Sequence, residues 1–462
     1  MIEKDATILK QYTGPLSRSI QDEYAISPEH YRGDVKLGLR NSDGTGVLVG
    51  VSRVGSVQGY LLQDGQRVPI PGQLYYRGIE LTDIVEAHRR AGTFGFEEVA
   101  YLLLMGYLPS KSELVYFDKI MNQARKLPEG FTEGMIMRHP SRSIMNELAR
   151  SVLSLYSYDP DPDNTSIDNM LLQSVKLIGY FPSIVANAYA MQRHYFHGDS
   201  LHIHYPVPEL STAENFLRMM RPDKSYTDEE AHLLDMMLMV HAEHGGGNNS
   251  TFVCRAMSSS GTDTYSAIAG AVGSLKGPLH GGANAKVMEM FHYIKENVDP
   301  HDDGSIKDYL CKLLDGAAGD RSGKLYGLGH AVYTISDPRA VLLKKYAQHM
   351  AEIKGYAGDF ALLQKVETLG IPLVQERRGS DTPMCANVDM YSGLVYTMLG
   401  IPEEVFTPLF ASARIAGWCA NRIEEVVTCH RIMRPAYRAV TTHEKYIPME
   451  ERATHLRLAG VE

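Results

Sequence analysis

Apolar side chains recur every three or four positions along most of the chain beyond residue 76, a spacing that predicts amphipathic α-helices. One helix has clear limits, because Thr227 and Glu230 match a capping box and the glycines at 245–247 stop it. His241 and His244 are therefore expected at its C-terminal end. Further helices are predicted over residues 266–278, 283–298, from 337 onward and over roughly 408–429.

One segment departs from this helical pattern. Residues 46–76 combine β-branched and aromatic residues with glycines and a QDGQ turn, which predicts a few short strands. The preceding residues, 1–50, are polar and turn-rich without clear periodicity, and we expect an extension that lies on the main body. The predicted fold class is mainly α, with a short N-terminal β segment.

The composition indicates a large core and argues against one class of partner. With 462 residues, 44% of them hydrophobic, the chain can bury a large core. The formal net charge of -9 argues against a nucleic-acid partner, since a surface that binds phosphates usually has a basic excess. We therefore expect a globular protein that does not bind nucleic acid.

The expected location is the cytoplasm. Residues 1–19 contain no apolar run that could act as a signal peptide, and nowhere do about 18 uncharged apolar residues follow one another. The five cysteines are odd in number, widely scattered and without a C-x-x-C pair, which is typical of reduced thiols rather than of a disulfide framework.

The stretch GPLHGGAN, residues 277–284, places His280 at the mouth of a predicted helix. The positive end of the helix dipole disfavours protonation of a histidine at this position, so the imidazole is expected to be neutral. A neutral imidazole can donate a hydrogen bond to an oxygen that becomes negative, as an enolate oxygen does. The alternative is a tight interhelical turn that carries a surface histidine.

A second candidate is the stretch GLGHAVYTISDPRA, residues 327–340. Its glycines can wrap a ligand, His330 can polarise a carbonyl group, and Arg339 can clamp a carboxylate with two parallel hydrogen bonds. The alternative for Arg339 is a solvated arginine in the first turn of a helix.

Asp389 is a third candidate, because a carboxylate in a partly apolar loop has a raised pKa and can act as a general base. The alternative is a loop or capping aspartate. Arg339, Arg414 and Arg434 each lie among apolar residues, and buried guanidinium groups need anionic partners. Together these residues would suit a small di- or tricarboxylate.

No metal site is expected. His241 and His244 lack the H-E-x-x-H arrangement of zinc proteases, and the histidines at 194–204 have irregular spacing without a cysteine partner. Neither GDRSGKL, residues 319–325, nor the glycines of residues 46–55 match a phosphate-binding loop.

Six motifs in order resemble those of the citrate synthase family. They are HAEHGGGN, GPLHGGAN, GLGHAVYTISDPR, NVDMYSG, LFASAR and a late Arg-Pro pair, and they lie between about residues 70 and 440. The resemblance implies a two-domain helical fold. It implies a large domain formed by 51–282 and 392–462 and a small domain at 283–391, whereas residues 1–50, the predicted extension, do not take part in the resemblance.

The resemblance also implies roles for residues. Asp389 would remove a methyl proton from acetyl-CoA, His280 would stabilise the enol, and His330 would polarise the carbonyl of oxaloacetate. The remaining residues implied to bind oxaloacetate or line its pocket are His244, Asn248, Arg339, Phe410, Arg414 and Arg434.

The backbone of Leu328 and Gly329 would bind the adenine of CoA. The resemblance implies a homodimer in which Arg434 reaches the partner's site. It implies acetyl-CoA as a co-substrate, with no permanently bound cofactor.

The sequence departs from the family pattern at two places, one in a loop and one beside the expected acyl pocket. The chain has three glycines after His244, where many relatives have acidic residues, and Met390 follows Asp389, where many bacterial relatives have an aromatic residue. A changed pocket wall can admit or reject one methylene group. The runner-up activity is therefore 2-methylcitrate synthesis from propionyl-CoA, or dual specificity. A non-catalytic binding protein of the same fold and a metal-dependent hydrolase are less favoured hypotheses.

Overall fold

The computed structural model describes residues 13, 17, 20, 24–42, 44–64, 66–379, 383–441, 443 and 445–452. Much of the stretch considered for a signal peptide and part of the predicted 1–50 extension therefore lie outside the described residues, as do residues 453–462. The chain forms two compact units, one from residues 1–49 and 434–462 and one from residues 50–433. The boundaries between the large and small domains stay predictions.

In the unit formed by the two termini, the described segments are short and irregular. An isolated bridge pairs Arg40 with Gly46, and the Arg438 guanidinium donates to the carbonyl of His30 at 2.5 Å. The 3₁₀ turns of this unit are Pro28–Tyr31, Leu37–Leu39 and Met449–Glu451.

The unit of residues 50–433 begins with an antiparallel sheet of order β1-β2-β3. Gly55 lies opposite Tyr76 at one end of the hairpin and Gln63 lies opposite Gln66 at the other. This confirms the predicted β segment, although the first strand begins at residue 55 rather than 46. The strands are β1 (Gly55–Gln63), β2 (Gln66–Tyr76) and β3 (Ile79–Glu80).

Helices make up most of the rest, which confirms the predicted fold class. A π-helical turn spans Thr132–Met137 and a 3₁₀ turn spans Tyr156–Tyr158. The α-helices are α1 (Leu81–Ala91), α2 (Phe96–Met105), α3 (Lys111–Ala124), α4 (Ile144–Leu155), α5 (Ile167–His197), α6 (Thr212–Met220), α7 (Asp228–His241), α8 (Asn249–Ser258), α9 (Thr264–Leu275), α10 (Ala283–Asn297), α11 (Asp303–Leu314), α12 (Pro338–Lys354), α13 (Ala357–Arg378), α14 (Asp389–Met398) and α15 (Glu403–Thr428).

The capping box of α7 is present, with the Thr227 side chain accepting from the Glu230 N–H at 3.2 Å and the Glu230 carboxylate accepting from the Thr227 N–H at 2.9 Å. The helix ends at His241, however, so the prediction that His244 lies at its C-terminal end is wrong. His244 lies in the loop that follows, because the chain leaves the helix before the glycines and Gly245 adopts a positive φ of 80°.

Helix α15 forms the centre of the core. It begins at Glu403, earlier than the predicted residue 408, and tolerates Pro408 inside its second turn. Trp418 and Cys419 are completely buried, and the helix packs against α5 and α8. Burial along almost its whole length lets α15 carry polar side chains into the interior of the unit.

Within the described part of the chain, no helix combines the length and apolar character needed to cross a bilayer. All five cysteines are free thiols.

Candidate active site

His244 is buried in the loop after α7, with 8% of its surface exposed. Its ring lies edge-on to the ring of His330, with centroids 5.2 Å apart, and also contacts Tyr333. The Nε2 atom has no hydrogen-bond partner among the residues that the structure describes. Burial and then the charge of Arg339 hold the pKa of His244 well below its usual value, so the imidazole is neutral near pH 7.

The ring of His330 folds back on its own loop. Its Nδ1 accepts the backbone N–H groups of Val332 at 3.0 Å and Tyr333 at 3.1 Å. Burial, followed by the charge of Arg339, lowers the pKa of His330 to about 4. Because Nδ1 accepts in a neutral ring, the proton is on Nε2, which is available to donate.

His280 lies in the turn before α10, with Nε2 accepting the backbone N–H of Ser250 at 3.3 Å. This contact places the proton of the neutral ring on Nδ1. The pKa of His280 is lowered to about 4, first by burial and then by the charge of Arg414. The neutral state predicted from the sequence is thus obtained mainly by burial rather than by the helix dipole.

A small network supports the His280 ring. The Ser250 hydroxyl is 2.9 Å from His280 Nε2, donates to Asn248 Oδ1 at 3.0 Å and accepts from the Trp418 indole N–H at 3.2 Å. Asn248 therefore lies beside this network, at the N-terminal boundary of α8.

Arg339 is held by a carboxylate that the sequence reasoning did not consider. Asp337 accepts from Arg339 Nε at 3.0 Å and from Nη2 at 2.7 Å, and both side chains are buried. Asp337 also accepts the backbone N–H of Val388 at 3.2 Å. It thereby ties the start of α12 to the residue before Asp389.

Arg414 is completely buried on α15. Its Nε donates to the carbonyl of His241 at 2.6 Å, whereas Nη1 and Nη2 have no partner within the described chain. The ring of Phe410 stacks 4.6 Å from the guanidinium carbon and 4.4 Å from the ring of His241. Burial lowers the pKa of Arg414 to about 10, and the charge of Glu243 acts in the opposite direction, so the group stays cationic near pH 7.

Asp389 is the first residue of α14 and is partly buried. Burial raises the pKa of its carboxyl group to about 6, while the charges of Arg339 and Arg414 oppose this shift. The backbone N–H of Asp389 donates to Asn387 Oδ1 at 3.0 Å. The carboxylate is therefore ionised at neutral pH yet basic enough to accept a proton.

The loop of Leu328 and Gly329 runs beside the segment that leads to Asp389. Leu328 bridges Ala386, the Gly329 N–H donates to the Cys385 carbonyl at 2.8 Å, and Asn387 Nδ2 donates to the Gly329 carbonyl at 2.9 Å. A cleft of about 460 Å³ opens on this loop. It is lined by Gly329, His330, Tyr333, Thr334, Gln375, Arg378, Pro383 and Met384.

The structure gathers most of the predicted residues in the unit of residues 50–433. The charge of Arg414 affects the pKa values of His244, His280 and Asp389, and the charge of Arg339 affects the pKa of His330. Arg434 is the exception, since it belongs to the unit formed by the termini, where its side chain is exposed.

Sequence reasoning missed Tyr333, Asp337 and Ser250. Asp337 also caps α12, because its carboxylate accepts the Arg339 N–H at 3.0 Å. The sequence did contain one signal for Tyr333, since it is an aromatic residue only three positions after the candidate His330. Nothing in the sequence links Ser250 to His280 thirty residues away.

In the ranges that the structure describes, no three His, Cys, Asp or Glu side chains form a group that could hold a metal ion. The site instead combines cationic guanidinium groups, two neutral imidazoles with assigned donor nitrogens and one carboxylate of raised pKa. Guanidinium groups with unpaired N–H donors bind carboxylates. The imidazoles and the carboxylate can together move a proton from carbon while stabilising the oxygen that becomes negative.

Comparisons with known proteins agree with this chemistry. A family model described as citrate synthase, C-terminal domain, matches residues 43–436. The citrate synthase of Deinococcus radiodurans is 35% identical over 77% of this chain and 88% of its own length. The 2-methylcitrate synthase of Shewanella oneidensis is 30% identical over 82% of this chain and 92% of its own length.

A solved structure is also similar. The ternary complex of carboxymethyl coenzyme A and oxaloacetate with citrate synthase from Thermoplasma acidophilum aligns with a TM-score of 0.74 and 27% identity. The alignment covers 91% of this chain and 100% of that one.

The unpaired donors of Arg414 lead to a prediction about ligand binding. Arg414→Gln should weaken the binding of a small dicarboxylate such as succinate by about tenfold or more, because charge-assisted hydrogen bonds contribute roughly 1.5–3 kcal/mol. Isothermal titration calorimetry measures the affinity directly. Arg138→Gln, at an exposed arginine, is the matched control and should bind as the wild type does. Equal affinities in the two variants would contradict the assignment.

Proposed function

The chain belongs to the citrate synthase family, and we propose that it condenses acetyl-CoA with oxaloacetate and water to give citrate and free CoA. It is an enzyme of the acyltransferase type. The observation that carries the proposal is that one unit holds a carboxylate of raised pKa, Asp389, together with two neutral imidazoles, His280 and His330, whose donor nitrogens are set by backbone N–H groups.

The first step is removal of a methyl proton from acetyl-CoA. Asp389 accepts this proton, and the electron pair of the broken C–H bond moves onto the thioester oxygen. His280 donates from Nδ1 to that oxygen, since its Nε2 is occupied by Ser250. A weakly acidic C–H bond needs the base and the oxygen donor to act together.

The enol carbon then attacks the ketone carbon of oxaloacetate. His330 donates from Nε2 to the ketone oxygen, because its Nδ1 accepts from the backbone. His244, Arg339 and Arg414 bind the carboxylates of oxaloacetate. Phe410 holds the Arg414 guanidinium by stacking, and Asn248 supports Ser250. Water then hydrolyses the citryl thioester, and CoA leaves as the thiol.

Acetyl-CoA is a co-substrate in this proposal, with no permanently bound cofactor. The cleft beside Leu328 and Gly329 is the proposed path of the CoA moiety, whose adenine would lie against the backbone of this loop. Met390 packs under this loop, since a Cβ atom at Gly327 would lie 2.8 Å from the Met390 sulfur. We propose that Met390, one residue after Asp389, helps to set the size of the acyl pocket and so to discriminate acetyl from propionyl groups.

The proposed assembly is a homodimer in which Arg434 reaches the site of the partner subunit. Support comes from the family resemblance of the Arg-Pro motif and from the exposed side chain of Arg434. A cytoplasmic location is part of the proposal, supported by five free thiols.

The raised pKa of Asp389 predicts an acidic limb in the pH–rate profile. The carboxylate must be ionised to accept a proton, so kcat should fall as the pH drops through about 6, where Asp389 becomes protonated. His280 and His330 stay neutral through this range, because their pKa values lie near 4. Initial rates between pH 5 and 8 measure the limb.

Asp389→Asn should lower kcat by about 100-fold or more, because the general base is lost. Asp118→Asn is the matched control, since burial also raises the pKa of Asp118 to about 6 but the residue lies on α3 outside the site. Full activity of Asp389→Asn, or an acidic limb that moves only in the Asp118 variant, would contradict the assignment.

The overall reaction is tested by CoA release, followed with a thiol reagent. With oxaloacetate present, acetyl-CoA should release CoA faster than propionyl-CoA does, and EDTA should not change the rate. Faster release from propionyl-CoA would indicate 2-methylcitrate synthesis, in line with the relative of that name. Release without oxaloacetate would indicate a thioester hydrolase, and no release at all would contradict the proposal.

Hybrid dimers test the position of Arg434. Arg434→Ala and Asp389→Asn homodimers should both be nearly inactive, whereas the purified hybrid should have about one half of wild-type activity, because one of its two sites receives both intact residues. Differently tagged chains allow the hybrid to be purified and its CoA release to be measured. An inactive hybrid would show that Arg434 acts in its own subunit.

A further inference from the structure

The β1–β2 hairpin presses directly against the loop that carries His330. A Cβ atom at Gly59 would lie 2.3 Å from the Val332 carbonyl oxygen, and one at Gly72 would lie 2.1 Å from the Ser336 carbonyl oxygen. The Gly72 N–H donates to that Ser336 oxygen at 3.0 Å. Neither glycine has a positive φ, so close approach of two backbones is the reason for glycine at both positions.

Tyr333 connects the hairpin to His330. Its ring is 1% exposed and stacks on the His330 ring with centroids 4.5 Å apart and planes 23° apart. A Cβ atom at Gly72 would lie 2.5 Å from the Tyr333 ring, so the hairpin lies directly against this ring. The Tyr333 hydroxyl donates to the Gln73 carbonyl at 3.5 Å, the limit of a hydrogen bond.

The same aromatic ring contacts a second residue of the site. Tyr333 lies edge-on to His244, at 5.7 Å between centroids. Its backbone N–H also donates to His330 Nδ1 at 3.1 Å, the contact that places the ring proton on Nε2. Tyr333 therefore constrains both the plane of the His330 ring and its tautomer.

We propose that Tyr333, held in place by the β1–β2 hairpin, is a positioning residue for His330, and that the hairpin thereby contributes to catalysis. The inference rests on the proposed role of His330 in polarising the ketone. A donor that is displaced by about 1 Å loses roughly 100-fold in rate, so the stack and the hairpin contact should affect the chemical step.

The contribution comes from the ring face rather than from the hydroxyl. The hydrogen bond to Gln73 is long, whereas the stacked ring covers one side of the imidazole. Tyr333→Phe keeps the stack and should keep kcat within about threefold of wild type. Tyr333→Leu removes the stack and should lower kcat by about 10- to 100-fold.

Gly72→Ala is a second test that changes neither histidine nor tyrosine. Its Cβ atom requires the hairpin and the loop to separate, so kcat should fall by about tenfold or more. Gly358→Ala is the matched control, because nothing lies within 4 Å of a Cβ atom at that position in α13. It should be as active as wild type.

The experiment measures CoA release at varied oxaloacetate and at varied acetyl-CoA, together with the melting temperature of each variant. Tyr333→Leu and Gly72→Ala should lower kcat, whereas KM for acetyl-CoA should stay within about threefold of wild type. Tyr309→Leu is a control for loss of a half-buried tyrosine, since Tyr309 packs on the core from α11. It should lower the melting temperature without lowering kcat.

Two results would overturn the inference. One is wild-type kcat in folded Tyr333→Leu and Gly72→Ala; the other is an equal loss in Tyr333→Phe and Tyr333→Leu, which would assign the effect to the hydroxyl. If Tyr333→Leu does not fold, Tyr333→Phe and Gly72→Ala decide between these outcomes. A wild-type protein that releases no CoA contradicts the proposed function itself, which separates the two failures.

Discussion

The burial of the Arg414 guanidinium is the constraint on which the rest of the site depends. A fully buried cation is costly unless its charge is compensated. Helix α15 brings Arg414 against the carbonyl of His241, and the charge of Glu243 favours its ionised state. Two of its donor nitrogens stay unpaired within the described chain. The core therefore holds a cation whose two remaining donor nitrogens indicate a binding site for an anionic ligand.

The same burial sets the state of the groups around it. Removing water from the site and placing Arg414 and Arg339 in it disfavours further positive charge, so His244, His280 and His330 have lowered pKa values. Burial acts in the opposite direction on a carboxyl group and raises the pKa of Asp389. One physical cause thus produces neutral donors and a competent base.

Backbone groups complete the arrangement by selecting a tautomer for each ring. The Ser250 N–H donates to Nε2 of His280, and two loop N–H groups donate to Nδ1 of His330, so in each ring the proton is on the other nitrogen. The two imidazoles therefore present different nitrogens. The hairpin lies against the loop of His330 at Gly59 and Gly72, which links the short sheet to the site.

The sequence by itself determined the helical class, the β segment, the capping box at Thr227 and the types of residue in the site, because periodicity, caps and motifs are local properties of the chain. Only the tertiary structure decided that Asp337 holds Arg339, that Ser250 orients His280 and that Tyr333 stacks on His330. Tyrosine and aspartate at these positions fit many local roles, and their contacts depend on how separate elements pack. The pKa shifts likewise follow from burial, which no local spacing specifies.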